Sequence, residues 1–369
     1  MRVDLFDFEL PPDRIAQRPI EPRDASRMLL VDPDTGSLED RHAHDLADVI
    51  APGSVLVVND TRVIPARLLG RKAHTGGRVE ILLVRKMGDE TAEFGGTRVP
   101  AERWRALGKA SKPLRMPTTI AIGEGDSLMA RIERRSDDDG LLEVVLATMD
   151  GTPLQSAIAA RGHIPLPPYI RRDDDAADVE RYQTVYARAE GAVAAPTAGL
   201  HLTNRLLGVL SARGVHMATV TLHVGPGTFQ PVQVEDLDQH RMHEEWYEVP
   251  RFTAHVIDDA RARGAAIVAV GTTTVRALES AADPERRGAV QACAGPTRLL
   301  IQPGYDFRVV DAMLTNFHLP RSTLLALISA FAGRELTLSA YAHAIAQGYR
   351  FYSYGDAMFI RSRGKAAGA

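Results

Sequence analysis

The sequence has one cysteine, Cys293, in 369 residues. That excludes an internal disulfide, a cysteine-ligated iron–sulfur cluster and an all-cysteine zinc site. It also fits a reducing, cytoplasmic compartment. No long hydrophobic run is present: the longest, 324–332 with Ser329 inside it, is about half the length that spans a bilayer. The N-terminus MRVDLFDFELPP is too acidic for a signal peptide, so no membrane role is expected. Charge of one sign is lacking too. With 44 Lys+Arg against 47 Asp+Glu, the balance of −3 gives no global footprint for RNA, though a local patch suffices for binding. Three motifs are missing. No GxxxxGK[ST] loop, no GxSxG elbow and no HExxH pair occurs, which removes triphosphate-loop, serine-hydrolase and zincin chemistry. His240, His243, Glu244 and Glu245 make at most a partial metal set, and no metal is expected.

What is present is a change of period along the chain. The run Ser54–Val58 is a buried-type strand ending in Asn59-Asp60-Thr61-Arg62. Residues 66–151 then alternate short strand-like pieces, such as 79–84 and 142–146, with Gly, Pro and Asp turns. That segment carries 15 Lys+Arg and 13 Asp+Glu, against 29 and 34 in the rest of the chain. After 152 strands alternate with helices. Strands are predicted over 215–222, 267–270, 298–301, 309–314 and 357–360, and helices over 203–212, 253–263, 273–282, 322–332 and 337–346. The reading is an α/β domain (1–65 and 152–369) with an inserted small β-barrel domain (66–151).

Four strand-to-loop junctions could carry chemistry, because ligands of open α/β sheets sit at the carboxyl ends of strands. In the first, Asn59, Asp60 and Arg62 suit a ribose, an amine or an anion, and equally a plain turn. The second holds His223 beside Gly225-Pro-Gly227, where an imidazole titrates near neutrality and backbone can approach a ligand closely. In the third, Gly271 precedes Thr272, Thr273, Thr274 and Arg276, at a helix start suited to carboxylate, phosphate or ribose; one threonine would serve as cap alone. The fourth places Asn316 and His318 before Pro320. Two more stretches stand out: the small-residue run 191–201, ending in His201, and the stiff segment 163–172 with Tyr169, Arg171 and Arg172, suited to base stacking and phosphate contact.

Together these segments resemble the QueA family of queuosine biosynthesis, the S-adenosylmethionine:tRNA ribosyltransferase-isomerases. The resemblance rests on MRVDLFDFELP at the start, VVNDTRVIPARL (57–68), HIPLPPYI (163–170), YQTVYA (182–187) and GAVAAPTAGLH (191–201). It continues through TLHVGPGTFQPV (221–232), VAVGTTTVRALESAA (268–282), LTNFHLP (314–320) and YGDAMFI (354–360), in family order. It implies an α/β domain plus a barrel, and transfer of the ribosyl part of S-adenosylmethionine to a 7-aminomethyl-7-deazaguanine at the tRNA wobble position. Epoxyqueuosine-tRNA, adenine and methionine are the implied products. S-adenosylmethionine is then a co-substrate, tRNA the partner and a monomer the expected state.

For that chemistry, His223, His201 and His318 are candidates for base and acid, and Asp60 for orienting the amine or ribose. Asn59, Arg62 and the backbone at Gly225 and Gly227 would contact substrate. Thr272, Thr273 and Arg276 would hold a carboxylate or ribose hydroxyl, and Asn316 a base edge. RNA contact is expected from Arg67, Arg71 and Lys72 at the domain junction, with Tyr169, Arg171 and Arg172 opposite. Two rival readings are a methyltransferase using the same co-substrate and a non-catalytic tRNA-binding protein.

Overall fold

The computed structural model describes residues 1–123, 127–137, 140–225 and 232–361. Val55–Asn59 is buried at every position, as expected of a strand covered on both faces. Its side chains alternate between two cores: Val55 and Val57 join one, Leu56 and Val58 the other. The first core is closed by helices Arg251–Ala262, Thr272–Ser280, Thr323–Ala332 and Arg334–Ala346, the second chiefly by Asn204–Ala212.

This strand sits inside a nine-stranded sheet. Across it the order is Cys293–Thr297, Glu245–Val249, His216–Leu222, Val55–Asn59, Ile267–Val270, Ala312–Asn316, Ala357–Ile360, Arg27–Val31 and Leu38–His42. The four strands from His216–Leu222 to Ala312–Asn316 are mutually parallel. They are the four whose ends carry the junctions singled out above, so the junctions line up side by side along one edge.

Residues 67–148 supply six further strands: Arg67–Lys72, Arg78–Phe94, Thr97–Ala110, Thr118–Ile122, Leu128–Arg135 and Leu142–Thr148. All their pairings are antiparallel and run in a closed cycle. The strand expected over 79–84 runs instead through Phe94, because Ala92, Phe94 and Ala101 find a small core of their own with Val145 and Ala147. Helix Leu154–Arg161 lays Ala157 and Ile158 into the core of this unit, so its packing extends past residue 151.

Other differences have local causes. The stretch 298–301 is not a strand; the neighbouring Cys293–Thr297 pairs with Glu245–Val249, and the Leu299 carbonyl accepts from Arg276 Nε at 3.0 Å. Arg27–Val31, a short apolar stretch among polar residues, gains its strand by pairing with Ala357–Ile360. No single helix among the described residues is long and apolar enough to cross a membrane.

Candidate active site

The edge where the four parallel strands end forms a cleft. Its lining includes Tyr169, Thr197, Gly271, Thr272, Thr273, Asn316, His318 and Tyr352. Gly271 turns from strand into helix at φ 89°, a conformation that glycine adopts without strain, and thereby aims the first helical turn at the cleft.

His223 follows the strand His216–Leu222 and is clamped from three sides. Its backbone N–H donates to the Trp246 carbonyl at 3.0 Å, and its ring stacks on the Trp246 indole with centroids 5.5 Å apart. Thr61 Oγ1 lies 2.8 Å from Nδ1 and 3.3 Å from the Ala189 carbonyl, which can only accept. With the hydroxyl proton directed to that carbonyl, Thr61 accepts from Nδ1–H, which leaves Nε2 as the basic nitrogen. Burial pushes the imidazole below its usual range, and the Asp60 charge pulls it back only in part. His223 is therefore neutral at neutral pH, the state a general base requires.

On the third side stands Gly191. A Cβ there would lie 2.9–3.0 Å from three atoms of the His223 ring, at a φ of +144° that disfavours side chains. Gly191→Ala is expected to swing the imidazole off Thr61. Single-turnover rate should fall at least tenfold while the circular dichroism spectrum is kept; an unchanged rate would detach this contact from catalysis.

Asp60 is buried and accepts from Thr221 Oγ1 at 2.7 Å and from Arg188 Nη2 at 2.8 Å. Its charge faces His223 while Arg188 reaches solvent. Asn59 turns out to be internal. Its amide donates to the Leu222 carbonyl (2.9 Å) and to Thr273 Oγ1 (3.3 Å), and its Oδ1 accepts from Thr61 and Leu222 N–H groups. It staples three of the junctions together and has no capacity left for substrate.

His201 is likewise not a free acid or base. The Asn316 amide donates to Nε2 (3.1 Å), so Nδ1–H donates to Ser26 Oγ (2.6 Å), whose hydroxyl passes on to the Arg23 carbonyl (2.9 Å). Complete burial, with Arg23 and Arg350 nearby, holds the ring well below its usual pKa. It positions Asn316, whose Oδ1 also accepts from Thr197 at 3.0 Å and whose amide reaches the Tyr352 carbonyl. His318 does line the cleft, with Nε2 at 2.9 Å from Thr315 Oγ1. Burial pushes it down to about 3, so it stands as a neutral partner and not as a stored proton.

Of the threonines, Thr274 donates to the Val270 carbonyl at 2.7 Å and only Thr272 and Thr273 face the cleft. Arg276 is buried and ion-paired with buried Glu245, whose other oxygen accepts from the Gly225 N–H at 2.9 Å. The guanidinium expected to grip a carboxylate therefore ties the threonine helix to the glycine loop instead. Gly227 lies outside the described residues.

The basic residues divide in the same way. Arg62, Arg71 and Arg171 are exposed, and Lys72 reaches the Pro113 carbonyl at 3.4 Å. Arg67 is held by Glu80 at 3.0 Å, and Arg172 forms a two-pronged pair with Asp178 at 2.6 and 2.7 Å. Those two serve packing between segments. Tyr169, expected to contact RNA, is only partly exposed; its hydroxyl meets Ser353 Oγ at 2.6 Å and its ring, tilted against Tyr352, lines the cleft.

Sequence reading gave no role to Thr61, Gly191, Trp246, Tyr352 and Ser353, and weighed Glu245 only as a metal ligand. Thr61 and Gly191 stood inside quoted segments. Tyr352, a non-glycine residue at φ 72°, had no local signal. Among the described residues, one trio, His42, His44 and Asp45, has ligand atoms within 4.8 Å of one another, and none of the three lines the cleft. Glu244 is taken up by Arg85 and Arg298, and Glu245 by Arg276.

A cleft across parallel strand ends that offers threonine, asparagine and tyrosine side chains, on the same edge as a neutral imidazole fixed in one tautomer, defines an α/β enzyme that acts on a small ligand. Residues 3–360 match the family described as queuosine biosynthesis protein. The chain belongs to that family. It is 58% identical over 370 residues to the S-adenosylmethionine:tRNA ribosyltransferase-isomerase of Sorangium cellulosum, covering 98% of this chain and 99% of that one. The protein of the same name from Geobacter sulfurreducens is 50% identical, over 98% of this chain and all of its own length. The crystal structure of S-adenosylmethionine tRNA ribosyltransferase from Thermotoga maritima superposes with a TM-score of 0.53 at 35% identity, covering 96% of this chain and 99% of that one.

Proposed function

We propose that this chain transfers and isomerises the ribosyl moiety of S-adenosylmethionine onto 7-aminomethyl-7-deazaguanine in the tRNA anticodon. Epoxyqueuosine-tRNA forms and adenine and methionine leave. The observation that carries the reading is His223: neutral, oriented by Thr61, and on the same strand edge as the threonine-lined cleft. A sulfonium acidifies the adjoining 5′ carbon. His223 Nε2 removes that proton, and Asp60 beside it favours the imidazolium that results. Thr272 and Thr273 hold a carboxylate or ribose hydroxyl at the helix start. Tyr169 or Tyr352 offers an aromatic face for adenine, with Asn316 and His318 near it in the cleft lining.

Residues 66–151 act as an inserted β-barrel domain beside this α/β domain. The enzyme works in the cytoplasm as a monomer. The test is to mix the protein with S-adenosylmethionine and tRNA carrying the 7-aminomethyl-7-deazaguanine base, then follow the products by chromatography. Adenine and methionine in equal amounts, with a matching mass gain on the tRNA, are expected. S-adenosylhomocysteine without adenine would establish a methyltransferase instead.

A further inference from the structure

The charges of the six-stranded unit fall into two populations. Along its walls, cations meet acids. Arg103 holds Glu90 at 2.8 Å and Glu133 at 2.6 Å, Arg105 and Arg134 share Glu143, and Lys86 reaches Glu102 at 2.7 Å. At one end this matching stops. There the turn following Arg67–Lys72 meets the turn following Thr97–Ala110, and Lys72 bridges the two through the Pro113 carbonyl. Arg71 and Arg78 are direct cross-strand partners, an arrangement in which like charges repel. Lys109 faces Glu80 across the next strand pair, but the Glu80 carboxylate is engaged by Arg67.

Arg71, Arg78 and Lys109 line one groove of about 500 Å³, and Glu80 is the only acid on its lining among the described residues. Leu69, Val79 and Ala110 are its apolar lining, with the Leu69 side chain exposed. Clustered cations that repel one another lower stability unless an anion joins them. A groove that combines cations with aliphatic groups matches a sugar–phosphate backbone, whose phosphates are gripped by the cations while the sugars lie against apolar atoms.

We propose that this groove, and not the Arg67 junction, takes the phosphodiester backbone of the RNA substrate. The inference rests on the tRNA reading above and adds Arg78 and Lys109 to the interface. The test measures binding of a full-length tRNA transcript between 50 and 300 mM salt for the whole protein, Arg78→Ala, Lys109→Ala and the double variant (roughly the range over which counterion release is read). Each single substitution should shallow the slope of log K against log salt by roughly 0.9 and weaken binding several-fold at low salt. Arg134→Ala, exposed but paired along the wall, should leave the slope alone. A double variant with the unaltered slope and affinity would overturn the groove. Adenine release by the unmodified protein is read separately; if that is absent while the slopes respond, the ribosyl-transfer reading fails and the RNA groove stands.

Discussion

Replacing His223 by alanine should lower single-turnover adenine release by about 10²–10⁴, the range over which a positioned general base contributes. The substitution removes one half-buried ring and its stack on Trp246, so the fold should survive. The pH dependence has a definite sign. Burial lowers the imidazole pKa, so the basic form persists below the usual histidine range. The rate of the unmodified enzyme should be flat through neutrality and fall as pH drops through that lowered pKa, because only unprotonated Nε2 can accept a proton. His223→Ala should lose the acid limb together with the rate. A variant within a few-fold of the parent at every pH would remove His223 from the chemistry and direct attention to His318, the imidazole that lines the cleft itself.

Breaking the Glu245–Arg276 pair should have the largest effect on stability. Both side chains are about 5% exposed, and Arg276 has a second route only to the Leu299 carbonyl. Glu245→Ala leaves a buried guanidinium without its counter-ion, a change that costs about 3–5 kcal/mol. The urea midpoint should drop accordingly. Replacing both partners, Glu245→Leu with Arg276→Met, should recover most of the stability, because a buried ion pair and an apolar pair of similar volume are nearly equivalent. Activity should not return with it. In both cases the Gly225 N–H loses the Glu245 carboxylate that positions it two residues after His223. Recovery of both together would mean that Glu245 matters only for packing.

The cleft's other requirements lie in the sheet. Four neighbouring parallel strands bring His223, Thr272, Asn316 and Asp60 to one edge although they are spread over more than 250 residues. Each junction was legible by itself, since polar and glycine residues after an apolar strand mark a loop that leaves the core. The family resemblance was legible too, as ordered segments across the chain.

Sequence by itself determined the two kinds of architecture, through period and apolar runs, and the set of polar residues from which a site could be built. Tertiary structure alone decided which of these are free to act. Asn59, His201, Arg67, Arg172 and Arg276 carry the same chemical groups as working residues, but each is engaged by protein partners, most of them far off along the chain or across a strand pair. A hydrogen bond or ion pair consumes donors and acceptors in three dimensions, and residue spacing does not record which ones. Burial works in the same way. His223, His201 and His318 begin as one side chain with one ordinary pKa, and the surrounding desolvation lowers all three. What distinguishes them is the packing: it leaves His223 one basic nitrogen beside Asp60 and gives His201 none.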